Sequence, residues 1–124
     1  MIQCKIKDWG FELTLVNNEK YCGKLLLVMF GKWSSGGRFH YHKIKDETFV
    51  VLMGSLVLEI EGYMPNRLKS LDTYRIKPGV KHKFTSGTPF CLFLEVSTTD
   101  REEDSIREEV GDGSNRTNDL DASC

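Results

Sequence analysis

The sequence has no apolar run long enough to cross a membrane. Its most apolar segment, KLLLVMF (residues 24–30), is strand-sized, whereas a transmembrane helix needs about 20 apolar residues. The first ten residues, MIQCKIKDWG, also lack the apolar core and cleavage site of a secretory signal. We therefore expect a protein outside the membrane class, with a cytoplasmic location.

Cysteine is sparse and irregularly spaced. Cys4, Cys22, Cys91 and Cys124 form no CxxC pair, which argues against both a zinc knuckle and a disulfide framework. In the absence of a secretory signal, reduced thiols are expected. Cys22 and Cys91 fall in apolar segments, so we predict that they are small core residues.

A strong net charge is also lacking, because 17 basic and 18 acidic residues leave −1 at neutral pH. Residues 1–99 hold 14 Lys or Arg against 9 Asp or Glu, whereas residues 100–124 hold 3 against 9. The first part is thus mildly basic and the tail acidic. A basic excess this small, without interleaved aromatic residues, does not predict a nucleic-acid partner.

The sequence does contain a succession of short apolar segments with the alternation of β-strands. GFELTLV (residues 10–16), for example, alternates apolar and polar residues. Turn residues recur roughly every 8–12 positions, which is typical of an all-β sandwich or barrel. We predict an all-β domain over residues 1–99 and an acidic tail over residues 100–124. In the tail we expect a short helix at 102–110, followed by disorder.

All three histidines of the chain fall in two segments, FHYHKIKDETF and KPGVKHKF. His40 and His42 are two residues apart, so in a strand they share a face. Glu47 follows the turn KIKD, and two adjacent antiparallel strands would bring it towards these histidines. His82 follows the turn KPGVK. Three imidazoles and one carboxylate form a ligand set for one divalent transition metal, either Fe, Mn, Zn, Ni or Co.

The spacing of these residues resembles two motifs of the cupin superfamily. HYHKIKDETFVVLMG is similar to the first motif, HxH-x4-E-x6-G, and LDTYRIKPGVKH to the second, GD-x5-PG-x2-H. The resemblance implies a single jelly-roll β-barrel in which the metal ligands are His40, His42, Glu47 and His82. One departure is Leu71, which stands where the second motif has glycine.

Two further stretches resemble a subgroup of that superfamily. DWGFELTLVNNEKYCGKLL and LEVSTTDREEDSIR are similar to the opening and the ending of small single-domain bacterial cupins. These are related to type II mannose-6-phosphate isomerases and lyxose isomerase-like proteins. The resemblance implies a metal-dependent isomerase or epimerase whose ligand is a sugar or sugar phosphate. It also implies a homodimer, because small cupins of this kind commonly pair through outer strands.

The ligand set alone leaves other functions open. An Fe(II)-dependent dioxygenase could use the same four residues, and its mark would be oxygen consumption. A non-catalytic sugar-binding module could instead retain a structural metal. A fold does not decide between such functions.

Other side chains are candidates for roles beside the metal. Glu47 and Glu95 are candidate catalytic bases, and Glu95 is either a buried acid with a partner or the exposed end of the last strand. Arg38 lies two residues before His40, so strand alternation would turn it towards the same cavity, where it could bind an anionic ligand. Its loop position equally permits a solvent-facing side chain. Lys24 precedes an apolar run and is interpreted as a rim residue.

Overall fold

The computed structural model describes residues 1–108 and Ala122–Ser123, and more than half of these residues lie in β-strands. The strands, in chain order, are β1 (Gln3–Lys7), β2 (Gly10–Asn17), β3 (Cys22–Met29), β4 (His40–His42), β5 (Glu47–Met53), β6 (Leu56–Ile60), β7 (Asn66–Leu68), β8 (Thr73–Ile76), β9 (His82–Ser86), β10 (Phe90–Ser97), β11 (Ser105–Arg107) and β12 (Ala122–Ser123). The alternation of apolar residues that predicts these strands is a local property of each segment. The prediction of an all-β fold is confirmed.

The strands are arranged in two antiparallel sheets. One sheet has the order β12-β1-β2-β3-β10-β5-β8, and the other has the order β11-β4-β9-β6-β7. Successive strands such as β4, β5 and β6 alternate between the two sheets. The sheets therefore face one another across a common interior.

The interior between the sheets is apolar. In β5, Glu47, Phe49 and Val51 are buried, whereas the residues between them are partly exposed. The apolar residues of the core are Trp9, Leu26, Val28, Phe49, Val51, Leu56, Leu58, Ile60, Leu68, Ile76, Phe84, Cys91 and Phe93. Phe49, Phe84 and Phe93 meet edge to face, with ring centroids 5.0–5.8 Å apart. Because Glu47 begins the inward face of β5, its carboxylate lies at one end of this core.

Two connections cross between the sheets at the ends of β5. The turn KIKD (residues 43–46) leaves β4 in one sheet and enters β5 in the other. The expectation that these are adjacent antiparallel strands is therefore wrong, because the two strands belong to facing sheets. At the far end, Gly54 has φ of 77°, and a Cβ there would lie 2.3 Å from the carbonyl oxygen of Phe90. Only glycine fits that bend without strain.

Helical structure in the described part of the chain is confined to two 3-10 turns, Ser34–Gly37 and Glu102–Asp104. The helix expected at 102–110 is reduced to the second turn, because Ser105–Arg107 instead pair with β4 as strand β11. The sheet thus continues past the predicted domain end at residue 99. The disorder predicted for the rest of the tail lies outside the described residues. Among those residues, no helix has the length and apolar character that a membrane span requires.

Two cysteines are core residues, as the sequence predicts. Cys22 and Cys91 are free and buried. Burial raises the pKa of Cys91 to about 12, so this thiol stays protonated and unreactive. Cys4 is instead disulfide-bonded, which corrects the expectation of reduced thiols at that position. Cys4 lies in β1, and β1 pairs with β12, a strand from the other end of the chain. The sequence does not indicate this pairing.

Candidate metal centre

His40, His42 and His82 converge at one end of the interior. β4 and β9 are antiparallel neighbours, and His40 lies directly opposite His82, so both side chains share a face. His42 follows two residues after His40 and points the same way. The ring centroids of His40 and His82 are 4.2 Å apart, and each of the three imidazoles offers a nitrogen within 4.8 Å of the others. Three histidines in this arrangement could hold a metal ion.

Glu47 reaches the same point from the facing sheet. Its side chain is only 2% exposed, and its Oε2 lies 3.4 Å from Nε2 of His42 and 3.4 Å from Nε2 of His82. The fold therefore brings together all four residues that the sequence spacing singles out. Two sheets contribute to the group, so its geometry depends on how they pack.

His40 and His42 are held in the neutral form that ligates metals, and a backbone contact fixes the tautomer of neutral His82. Nδ1 of His82 lies 2.9 Å from the carbonyl oxygen of Val80. Because a carbonyl oxygen only accepts, Nδ1 is the protonated nitrogen of the neutral ring, and Nε2 is then the nitrogen with the free lone pair. Burial, together with the nearby Lys45, lowers the pKa of His42 to about 4. Burial and the two neighbouring imidazoles hold the pKa of His40 well below its usual value.

Several buried polar atoms at this point have no hydrogen-bond partner among the residues that the structure describes. They are Nδ1 of His40, Nδ1 of His42, Oε2 of Glu47 and Nε2 of His82. An unpaired buried group costs about 1–3 kcal/mol, so folded proteins contain few of them. Burial, followed by repulsion from Glu95, also raises the pKa of Glu47, whose ionised form needs a compensating cation. Imidazole nitrogens and a carboxylate oxygen without internal partners fit a divalent transition metal.

We call His40, His42, Glu47 and His82 the histidine group, and Lys45 links it to a set of ion pairs. Its Nζ donates hydrogen bonds to Glu95 and Asp100, each at 2.9 Å, and lies 3.6 Å from Oε1 of Glu47. Glu95 is therefore a buried acid with a partner, which settles the alternative left open by the sequence. Burial alone would raise the pKa of Glu95, but Lys45 and Lys24 lower it overall.

Lys24, interpreted from the sequence as a rim residue, belongs to the same buried set. Its Nζ contacts Glu12 at 3.3 Å and Asp100 at 2.9 Å. Burial opposes the charge of Asp100, yet Lys24 and Lys45 hold the pKa of Asp100 below its usual range. We call Glu12, Lys24, Lys45, Glu95 and Asp100 the ion cluster. Each of its charges has an opposite charge beside it.

A cavity of about 380 Å³ adjoins both groups, and its lining includes His40, His42, Glu47 and Glu95. The basic residues that line it are Lys5, Lys7, Lys24, Lys45, Arg101 and Arg107. Pockets for small molecules span roughly 300–1,000 Å³. The cavity can therefore place a small polar ligand beside His40 and His42.

Comparison with solved structures identifies the fold. No protein-family model matches the chain, and no curated protein sequence is significantly similar to it. A sugar phosphate isomerase from a cupin superfamily, from Silicibacter pomeroyi, matches with a TM-score of 0.67 at 22% identity, covering 88% of this chain and 81% of that chain. KdgF from Halomonas sp. gives a TM-score of 0.69 at 16% identity, covering 79% and 86%. An RmlC-like cupin family protein with a double-stranded β-helix fold, from Methanocaldococcus jannaschii, gives 0.61 at 18% identity, covering 69% and 76%.

The chain has the cupin fold. The resemblance of its motifs to those of cupins is thereby confirmed at the level of architecture, and identities of this size carry the comparison no further. The turn at Leu71 agrees with that architecture. Leu71 has φ of 69°, a left-handed value that favours glycine, at the position where the second cupin motif has glycine.

The cupin barrel brings Arg107, rather than Arg38, to the cavity. Arg107 pairs directly with His40 across β11 and β4, so it faces the same way, and its Nε donates to Oγ of Ser35 at 3.2 Å. Within the described residues, Arg38 does not line the cavity, and its Nε donates to the carbonyl oxygen of Ser35 at 3.0 Å. The alternation argument for Arg38 does not apply because β4 begins only at His40, after the turn Ser34–Gly37.

Lys45 and Asp100 also belong to the site, although the sequence interpretation passes over both. Lys45 lies in a polar turn and Asp100 in an acidic tail, and charged residues in such segments are usually solvated. A signal for Lys45 exists, because it lies two residues before Glu47 and alternation could group the two. Asp100 has no comparable signal, since its partners are distant in the sequence.

Proposed function

We propose that this cupin-fold protein is a metal-dependent isomerase or epimerase of a sugar or sugar phosphate. One divalent transition metal per chain would be held by His40, His42, Glu47 and His82. The observation that carries the proposal is the set of unpartnered buried atoms on these residues, next to a polar cavity. The similarity to a protein described as a sugar phosphate isomerase supports this choice of substrate class.

Isomerisation of a sugar moves a proton between neighbouring carbons. A base removes the proton from the carbon beside the carbonyl group, and the electron pair of that bond shifts towards the carbonyl oxygen. In an isomerisation the proton is then added to the former carbonyl carbon, and the hydroxyl proton of the first carbon passes to the former carbonyl oxygen, so that the carbonyl group moves to the first carbon. In an epimerisation the proton instead returns to the first carbon from the opposite face. A divalent metal, when bound, supplies Lewis-acid stabilisation of the negative charge on the sugar oxygens. The protein itself must supply a base and a place for the substrate.

Glu95 and Glu47 are the two candidate bases. Glu95 is ionised and lines the cavity, but Lys45 and Lys24 stabilise its charge and thereby weaken it as a base. Glu47 has the raised pKa, yet its Oε2 faces the histidines. The proposal therefore assigns ligation to Glu47 and proton transfer to Glu95. The variant Glu95→Gln should lower turnover about 100-fold or more with its metal content unchanged, and wild-type turnover would exclude Glu95 as the base.

An anionic substrate suits the charges of the cavity. Outside the ion cluster, the basic residues of its lining are Lys5, Lys7, Arg101 and Arg107, against the acidic Glu47 and Glu102. Arg38 remains a predicted anchor for the anionic group, and Arg107 is the second candidate. Binding of a sugar and of its phosphate should be compared in wild type, Arg38→Ala and Arg107→Ala. The anchor is the arginine whose loss removes the preference for phosphate, and no preference in wild type would contradict the idea.

We also propose a homodimer. The outward faces of β3 and β10 pair Leu25 with Leu94 and Leu27 with Leu92, and all four side chains are partly exposed. Strands that are apolar on both faces are typical of a sheet covered on both sides. A second copy of the chain would cover this face. Light scattering at micromolar concentration measures the assembly, and a monomeric mass would count against it.

Metal analysis followed by an isomerisation assay tests the function. Protein purified without chelators should contain about one divalent ion per chain, and incubation with sugars and sugar phosphates in D2O should exchange the proton at the reacting carbon, as seen by NMR. His42→Ala should lose most of the metal and the turnover. Glu61→Gln is the control, because Glu61 is half exposed, and it should keep both.

The other outcomes of this assay separate the alternatives. Oxygen consumption that requires Fe(II) would favour a dioxygenase, and tight sugar binding without turnover would favour a non-catalytic module. Full metal occupancy in His42→Ala would contradict the ligand set itself.

A further inference from the structure

The turn that precedes Glu47 is anchored by Asp104. The backbone N–H groups of Ile44 and Lys45 donate to the two carboxylate oxygens of Asp104, at 2.8 and 2.9 Å. The N–H of Lys43 donates to the carbonyl oxygen of Asp104 at 3.2 Å. Asp104 is only 4% exposed, so these hydrogen bonds are shielded from water. They set the point from which the side chain of Lys45 enters the barrel.

Inside the barrel, the ammonium group of Lys45 meets three carboxylates. An ammonium has three N–H donors, and the hydrogen bonds to Glu95 and Asp100 use two of them. The third carboxylate is that of Glu47, whose Oε1 lies 3.6 Å from Nζ, within the range of an ion pair although long for a hydrogen bond. The other oxygen of Glu47, Oε2, is the one that faces the histidines.

We propose that Lys45 is a positioning residue of the metal centre. Its anchored charge attracts Oε1 of Glu47 and thereby turns Oε2 towards His42 and His82. This inference rests on the proposed metal ligands, and it does not depend on which reaction the protein catalyses. Partners that orient a metal ligand in this way typically change metal affinity 10- to 100-fold.

Positioning and charge predict opposite effects for the loss of Lys45. Removal of a positive charge near a divalent cation reduces repulsion, so charge alone raises the metal affinity. Loss of positioning lowers the affinity, because the carboxylate of Glu47 must then be ordered when the metal binds. Lys24 is a matched control, since it is also buried and also hydrogen-bonded to Asp100, but its ion pairs are with Glu12 and Asp100.

The experiment titrates Co²⁺ into chelator-treated wild type, Lys45→Met and Lys24→Met by calorimetry. The absorption spectrum of bound cobalt is a second readout, because it responds to the arrangement of the ligands. Lys45→Met should bind Co²⁺ about 10- to 100-fold more weakly, with an altered spectrum. Lys24→Met should remain within about threefold of wild type or bind slightly more tightly. Unchanged or tighter binding by Lys45→Met would overturn the proposal, and so would an equal loss in Lys24→Met.

A second variant covers the case in which Lys45→Met does not fold. Lys45→Met/Glu95→Gln removes one negative charge together with the positive one, and it still leaves Oε1 of Glu47 without its cation. The same weakening is expected, and wild-type affinity in this double variant would overturn the proposal. Absence of Co²⁺ binding by wild type would overturn both the metal centre and this role of Lys45. Bound metal without isomerase activity would contradict only the proposed reaction.

Discussion

Two groups of buried polar residues line the same cavity, and they differ in whether their atoms have partners. In the ion cluster, every charge lies within 4 Å of an opposite charge. In the histidine group, four polar atoms have no hydrogen-bond partner within the described part of the chain. Both groups contain buried and partly buried side chains, so burial does not distinguish them. The missing partners indicate which of the two is completed by a ligand.

Glu47 connects the two groups, since Oε1 faces Lys45 of the ion cluster and Oε2 faces the histidines. Buried ion pairs often add little net stability, because the desolvation of the charges offsets their attraction. What the ion cluster provides here is orientation of its neighbours. The ion cluster, whose charges are paired, thus differs in role from the histidine group, whose polar atoms lack partners. Variants of the two groups can be compared directly.

The largest expected effect is that of metal on the histidine group. Co²⁺ at 1,000 times its Kd should raise the free energy of unfolding by about 4 kcal/mol, because only the folded state holds the ligands together. His82→Ala should lose this increase, since it removes a fully buried residue of the proposed ligand set. Urea unfolding with and without Co²⁺ measures the difference. If Co²⁺ does not stabilise the wild-type protein, the histidine group does not differ from the ion cluster in binding a metal.

A smaller effect is expected when the ion cluster is broken in the absence of metal. Lys24→Met should destabilise the fold by about 2 kcal/mol, less than the 3–5 kcal/mol typical of a broken buried pair, because Asp100 keeps Lys45 as a partner. Arg75→Met is the control, since its pair with Asp46 is at the surface and should contribute far less. Urea unfolding in the presence of a chelator gives both values. Equal effects of the two substitutions would show that burial of the cluster does not matter.

The smallest expected effect is a dependence of stability on pH. The folded-state pKa of Asp100 lies below its usual value of 3.8, so its contribution is present above about pH 4 and is lost as the pH falls further. The stability margin of wild type over Asp100→Asn should be constant at neutral pH and shrink progressively below about pH 4. Urea midpoints of both proteins across this range measure it in the presence of a chelator. A margin that does not change with acidification would contradict the role of Asp100.

Much of the fold could be predicted because alternation and turn residues are local signals. The pattern of GFELTLV identifies a strand without any knowledge of its neighbours. The same pattern does not identify the partner of a strand, which is set by packing between distant segments. That is why β4 and β5 were expected side by side, whereas they lie in facing sheets. The short strand Ser105–Arg107 was likewise hidden, because its pairing with β4 outweighs its acidic surroundings.

The site was predictable to the extent that its residues share a spacing. The two histidines of HYH, together with Glu47 and His82, follow from their positions along the chain, and the structure brings them together. The roles of Lys45 and Asp100 do not follow, because a sequence shows that a residue is charged but not that it is buried. Their burial results from contacts across more than fifty residues of sequence, and only the assembled barrel creates them.

The crossing of residues 43–46 from one sheet to the other restricts how this sequence can change during evolution. Packed sheets lie about 10 Å apart, and the five Cα–Cα steps from His42 to Glu47 reach at most about 18 Å, so these residues span the gap as a short, direct connection. Loss of one residue would also move β5 by one position, turning Glu47 outwards and placing Thr48 in the interior. Point substitutions in this stretch leave the interval intact, whereas insertions and deletions alter it. We therefore expect selection to preserve the number of residues between His42 and Glu47 more strictly than the identity of those residues.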